Sequence, residues 1–305
     1  MNKIIQYLSQ DGMHYIHAEI RVPSGKPKGI VQIVHGMAEH IGRYEAFMNF
    51  LTHQGYVVCG NDHLGHGQTE KEAFGNFGQP DAANILVKDV RQLSRIVEQM
   101  FPQLPFFLFG HSMGSFIAKD YVVRYPADRL ILSGTGEMRS LAILGDAIGY
   151  WTGEIAGEGA DSPVINTMMK GLNLKAWLQS RRFDTPYAWV SSIPAEAKAY
   201  GEDPYCAFNL NNDALRDLFK LAARTSGPGW YQRVPKTLPI LIVGGKDDPV
   251  GLFGTAVMRV KRRLAEAGVT DVTCKLYDGN RHEVLHDTAG EDFMMCVADF
   301  IAQDA

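Results

Sequence analysis

The chain has 305 residues, 46% of them hydrophobic and 21% charged, with a formal net charge of −4 at pH 7. That balance suits a globular protein with a sizeable buried core, built as one large domain or two small ones, and it leaves no basic footprint for nucleic acid. No apolar run approaches about 18 residues, so nothing is expected to span a bilayer, and Met1 to Gln6 lack the apolar core of a signal peptide.

From the N-terminus, residues 14–20 alternate in the manner of an antiparallel edge strand. Residues 31–34, 56–59, 106–109, 130–132 and 240–243 are short apolar runs that predict buried strands. Between them, residues 44–53, 83–100, 112–124 and 254–267 carry helical periodicity, and 291–301 closes the chain as a helix. Strands alternating with helices predict a mostly parallel sheet covered on both faces. The rhythm breaks over residues 135–237, which offer no convincing strand and contain Trp151, Trp177, Trp189 and Trp230. This interval is read as a helical cap inserted into an α/β core of residues 1–134 and 238–305. Segments 141–151 and 166–177 are expected to present apolar faces to a pocket beneath it. Lys261-Arg262-Arg263, the densest cationic run, falls in the last turns of an expected helix, where cations favour the helix dipole. The cysteines Cys59, Cys206, Cys274 and Cys296 are scattered without a CxxC pair, a pattern that suits buried thiols in a reducing cytoplasm better than disulfides or zinc.

The most informative stretch runs from Phe106 to Ala118. Four apolar residues lead into Gly110-His111-Ser112-Met113-Gly114, and an amphipathic segment follows at once. A strand, a turn too tight for large side chains and a helix are predicted, with glycines flanking a serine whose backbone is strained. Such a turn pushes Ser112 Oγ out at the strand end beside the free N–H groups of the new helix. A serine hydroxyl is a poor nucleophile near neutral pH, so it needs a base and the base needs an orienting acid.

In this chain order the acid should follow a later strand and the histidine should come last. Gly244-Gly245-Lys246-Asp247-Asp248-Pro249 supplies two adjacent carboxylates after a buried strand. Asp248, directly before Pro249, is preferred to Asp247. His282, in Asp278-Gly279-Asn280-Arg281-His282, is preferred to His286, His35, His66 and His111. His111 flanks the nucleophile and is expected to point away from it. The loop His35-Gly36-Met37-Ala38-Glu39-His40 follows the strand predicted at residues 31–34, so the N–H of Met37 pairs with that of Met113 as candidate oxyanion donors. The polar run Asn61 to Gly67 is read as a structural loop bracing that segment.

These residues resemble the monoglyceride lipase and lysophospholipase branch of the α/β-hydrolases, grouped by sequence with serine aminopeptidases. The matching segments are HGMAEHIGRYEAF from His35, DHLGHGQT from Asp62, FGHSMGSF from Phe109, GGKDDPVG from Gly244 and DGNRHEVLHD from Asp278. Their joint occurrence in order spans both halves of the core. The resemblance implies an α/β-hydrolase fold, with Ser112 as nucleophile, Asp248 and His282 as its partners and Met37 and Met113 as oxyanion donors. It also implies no cofactor and no metal. Leu64 stands where the family usually has arginine. The cap is longer than the lid of monoglyceride lipases. Tyr200 to Phe208 resembles a cap segment of bacterial hydrolases, so a bacterial, cytoplasmic enzyme is expected.

The implied activity is serine ester hydrolysis of monoacylglycerols, lysophospholipids or short acyl esters, rising with pH through about 6–7 as the histidine becomes neutral. Acylglycerols partition into lipid, so transient membrane contact fits this reading, although no basic amphipathic helix signals it. An aminopeptidase favouring N-terminal proline is the alternative. It would need cap carboxylates to hold the substrate's ammonium, for which Glu154, Glu158, Asp161, Glu196, Glu202 and Asp203 are available. A third reading is a non-catalytic receptor reusing the fold. The sequence leaves oligomeric state open.

Overall fold

Successive side chains of a strand point to opposite faces, so an apolar run such as Phe106–His111 has to be covered on both sides. In the computed structural model, which describes residues 2–70, 73–78, 81–139, 143, 145–146 and 185–303, that demand is met by eight strands with helices on both faces. The strands are β1 (Asn2–Leu8), β2 (Tyr15–Arg21), β3 (Ile30–Val34), β4 (Val57–Asn61), β5 (Phe106–His111), β6 (Arg129–Ser133), β7 (Ile240–Gly245) and β8 (Val272–Tyr277). Their order across the sheet is β1-β2-β4-β3-β5-β6-β7-β8. From β4 to β8 every pairing is parallel. Strand β2 is antiparallel to both β1 and β4.

One expectation is corrected here. Residues 14–20 form an antiparallel strand but not an edge strand, because β1 pairs outside it in full register from Asn2↔Arg21 to Leu8↔Tyr15. The edge role falls to β1, whose residues are mostly exposed.

The main helices are α1 (Glu45–His53), α2 (Ala82–Met100), α3 (Met113–Val122), α4 (Pro194–Glu202), α5 (Asn212–Thr225), α6 (Pro228–Arg233), α7 (Thr255–Glu266) and α8 (Gly290–Ala302). One core layer gathers Leu86, Val90 and Leu93 of α2, Ile117 and Tyr121 of α3, and Val257 and Val260 of α7. The opposite layer packs Phe47 and Leu51 of α1 and Phe293, Val297 and Ile301 of α8 against Phe107, Phe109 and Leu241. Buried aliphatic and aromatic side chains each contribute about 1.5–3 kcal/mol on this scale, so the two layers supply most of the stabilisation.

Between β6 and β7 the described residues contain helices and no strand. Leu215, Leu218 and Leu221 of α5 join the first core layer, and Trp230 is buried with its Nε1–H donating to Lys119 O at 2.7 Å. This part of the 135–237 interval is therefore built into the main core. Segments 141–151 and 166–177, expected to line a pocket, lie outside the described residues apart from Ile143, Gly145 and Asp146.

Candidate active site

The tight turn after β5 is visible in its backbone. Ser112 has φ 51° and ψ −118°, a region an L-residue occupies at a cost of about 1–3 kcal/mol. Its N–H donates to Ser133 O at 2.9 Å, and Ser115 Oγ donates to Ser112 O at 2.6 Å, so neighbouring groups hold the strained turn. Gly114 is glycine for want of space. A Cβ there would meet Val34 O at 2.1 Å and His35 O at 2.5 Å, forcing α3 away from the end of β3.

His282, past the end of β8, places Nε2 2.9 Å from Ser112 Oγ. Its Nδ1 lies 3.1 Å from each oxygen of Asp248, which sits in the turn after β7. Asp248 is fully buried, and Oδ1 also accepts the Val250 N–H at 2.8 Å. Burial by itself disfavours the imidazolium. The charge of Asp248 and its hydrogen bond outweigh burial, and the His282 pKa ends above the ordinary histidine value. Asp247, half-buried beside it, is tied through its N–H to Asn280 O at 2.9 Å. The fold thus brings Ser112, His282 and Asp248 into one hydrogen-bonded line.

The loop after β3 lies against this line, for a Cβ on Gly36 would touch Ser112 Cβ at 3.1 Å. Gly36 N–H donates to Glu39 Oε1 and Ala38 N–H to His66 Nε2, which commits the amides on either side of Met37. The N–H groups of Met37 and Met113 have no acceptor among the described residues. Two uncommitted donors beside a serine hydroxyl suit an anionic oxygen.

The polar run after β4 braces that loop. Asp62 accepts Ile41 N–H and Gln68 N–H, each at 2.8 Å. His35 Nε2 accepts His63 N–H at 3.1 Å, so its proton sits on Nδ1 and is donated to Gly36 O at 2.8 Å. By the same logic His66 accepts at Nε2 and donates from Nδ1 to Leu64 O at 2.9 Å. Burial keeps these rings neutral, with His63 pulled down to about 3 and His66 to about 4. His286 is likewise held down to about 3 by burial and by the charge of Arg43.

Several neighbours of the site were not legible in the sequence. His111 does not simply turn away: its ring packs on that of His282 at 4.9 Å between centroids, and Trp189 covers His282 at 5.2 Å. His282 N–H donates to Trp189 O at 3.4 Å and Glu283 N–H to Val190 O at 2.9 Å, lacing this segment to the histidine loop. Beside it, Arg43 pairs with Glu283 and with Glu39 (3.5 Å) and lies 5.0 Å from the centre of the Tyr200 ring. Burial pushes the Glu283 carboxyl up to about 7, against the pull of Arg43. Glu39 and Arg43 stand in the HGMAEHIGRY segment and Glu283 follows His282, but only the fold shows that they meet.

A mostly parallel sheet with a strained serine between strand and helix, followed in chain order by an acid and a histidine, is the α/β-hydrolase arrangement. The family profile described as "Serine aminopeptidase, S33" matches residues 25–289, and the chain belongs to that family. It is 37% identical over 282 residues to human monoglyceride lipase, covering 92% of this chain and 82% of that one. It is 30% identical over 272 residues to a monoacylglycerol lipase of Mycolicibacterium smegmatis, covering 88% and 86%. Among solved structures, a highly thermostable carboxyl esterase from Bacillus coagulans superposes with a TM-score of 0.88 at 31% identity. That match covers 98% of this chain and 97% of the esterase.

Proposed function

We propose that this protein is a cofactor-free serine ester hydrolase. The observation that carries the reading is the continuous hydrogen-bonded line from Asp248 through His282 to Ser112, lying beside two uncommitted amides. His282 Nε2 takes the Ser112 proton as Oγ attacks the ester carbonyl. Asp248 holds the ring with its proton on Nδ1 and stabilises the imidazolium that forms. The N–H groups of Met37 and Met113 receive the developing oxyanion, each worth about 3–4 kcal/mol in the transition state. The alcohol leaves with the proton from His282. Water then repeats the sequence on the acyl-enzyme, releasing the acid and restoring Ser112.

Monoacylglycerols and related carboxylic esters are the proposed substrates, supported by the names of the relatives. The part of residues 135–237 that precedes α5 serves in this reading as the cap over the site, supported by Trp189 lying against His282, whereas α5 and Trp230 belong to the main core. Of the six carboxylates an aminopeptidase could use, three are described: Glu202 pairs with Lys198 (3.6 Å), Asp203 with His40 (3.0 Å), and Glu196 lies 4.0 Å from His286. These pairings favour esters over an N-terminal ammonium. A cytoplasmic location belongs to the same reading, supported by four free cysteines. Among the described residues no helix is long and apolar enough to cross a membrane.

The test is hydrolysis of p-nitrophenyl esters from acetate to palmitate, beside proline p-nitroanilide, by wild type and Ser112→Ala. Ester turnover that collapses by orders of magnitude in the variant supports the proposal. Turnover of the anilide alone would replace it with an aminopeptidase, and ester turnover that survives in Ser112→Ala would remove Ser112 from the chemistry.

A further inference from the structure

His40, Asp203 and Cys206 converge at the seam between the oxyanion loop and the segment that follows α4. One imidazole nitrogen, one carboxylate oxygen and the thiol sulfur all lie within 4.8 Å of one another. His40 closes the loop that carries Met37. Asp203-Pro204-Tyr205-Cys206 is a tight turn in which Cys206 N–H donates to Asp203 O at 3.0 Å, with proline at the second position as such turns favour. The turn presents Asp203 and Cys206 side by side, and Asp203 Oδ2 stands 3.0 Å from His40 Nε2. Next to it, Ala207 N–H donates to Ala38 O at 3.0 Å, so the backbone already joins the two segments. Cys206 is only 6% exposed, and its sulfur has no hydrogen-bond partner among the described residues.

We propose that His40, Asp203 and Cys206 form a binding site for a zinc-class divalent cation that fastens the capping segment to the oxyanion loop. Nitrogen, oxygen and thiolate sulfur together are a zinc donor set, and a solvent molecule would complete the tetrahedron. Bond lengths of about 2.0–2.3 Å set tetrahedral ligands about 3.3–3.7 Å apart, so donor atoms now within 4.8 Å of one another draw together by up to about 1.5 Å when the cation binds. Coordination uses the His40 Nε2 lone pair, which leaves the neutral ring's proton on Nδ1. The thiol gives its proton to solvent, one per cation bound. Arg43, whose charge acts on the same thiol, opposes a cation there and is itself paired with Glu39 and Glu283, while burial raises the thiol, so the cation has to displace its proton. Chain spacing hides the site, since His40 lies far from Cys206 and only the docked turn brings them together.

The test uses the full chain after chelator treatment, titrated with Co2+ and then Zn2+. Wild type should bind one Co2+ with the near-ultraviolet sulfur-to-cobalt charge-transfer band. Zn2+ should displace it and raise Tm, because a cation that binds only the folded state stabilises it. Cys206→Ser should abolish the band, and Asp203→Asn should weaken Zn2+ binding at least tenfold. Cys274→Ser/Cys296→Ser, which removes the two half-buried thiols, should retain the band. Should Cys206→Ser fail to fold, Asp203→Asn and His40→Gln give the same reading. No band in wild type, a band that survives in Cys206→Ser, or Zn2+ affinity unchanged in Asp203→Asn and His40→Gln would each overturn the proposal.

Discussion

Replacing Asp248 by asparagine removes one charge and keeps the shape, so it isolates what the carboxylate does for His282. Asp248 Oδ1 accepts the Val250 N–H at 2.8 Å, and an asparagine must keep its amide oxygen there. Its NH2 group then takes the place of Oδ2, 3.1 Å from His282 Nδ1. The retained oxygen is equally 3.1 Å from Nδ1, so the NH2 group competes with it for that nitrogen, and where the NH2 donor prevails the ring proton moves to Nε2, against Ser112 Oγ at 2.9 Å. A protonated Nε2 cannot take the serine proton. Tautomer reversal of this kind costs about 10³–10⁴ in kcat, or about 4–5.5 kcal/mol of barrier. The assay is kcat and kcat/KM on a p-nitrophenyl ester, with circular dichroism and thermal unfolding to show that the fold is intact. Asp247→Asn is the control, because its side chain makes no contact with His282, and its activity should stay within about twofold of wild type. A loss below about tenfold in a folded Asp248→Asn would refute the tautomer argument. An equal loss in Asp247→Asn would reassign the acid.

Three further outcomes follow from the same geometry. Burial opposes the His282 imidazolium but Asp248 outweighs it, so kcat/KM should rise with pH about a midpoint above the ordinary 6.5, and Asp248→Asn should lower that midpoint. A wild-type midpoint below the ordinary value would contradict this balance. Lys119 is fully buried, donates to Gly136 O at 2.9 Å and is pulled down by burial to about 7, against Glu137. From about pH 7 up to the unfolded value of 10.5 the unfolded chain binds the extra proton, so stability from this group rises with pH. The unfolding free energy of wild type minus that of Lys119→Met should climb over this window, and a flat difference would show that the ammonium is not destabilised. Asp62→Ala strips the buried Ile41 N–H of its acceptor and should cost about 1–3 kcal/mol in urea unfolding, with a loss of ester turnover as the oxyanion loop slackens. Unchanged stability would mean that solvent reaches this amide.

The sequence alone determined six of the eight strands, β2 to β7, because parallel strands buried on both faces must be apolar runs and the helices between them must be amphipathic. It also located Ser112, since a strained strand-to-helix turn tolerates only small neighbours, and it put an acid and a histidine after the last two strands. The choice of Asp248 over Asp247 rested on one proline, whereas burial and 3.1 Å contacts to His282 separate them physically. Strand β1 escaped notice because an edge strand buries little and carries no strong pattern.

What only the tertiary structure decided is who meets whom across distant segments. Trp189 covers His282, Arg43 bridges Glu39 and Glu283, and the Asp203–Cys206 turn reaches His40 because docking between helices and loops brings them together. α5 carries an ordinary amphipathic pattern, and nothing in that pattern says that it packs on α2 and α3 inside the main core. Local sequence periodicity records which face of an element is apolar. It does not record which partner covers that face, because that choice is made by the collective packing of the whole chain.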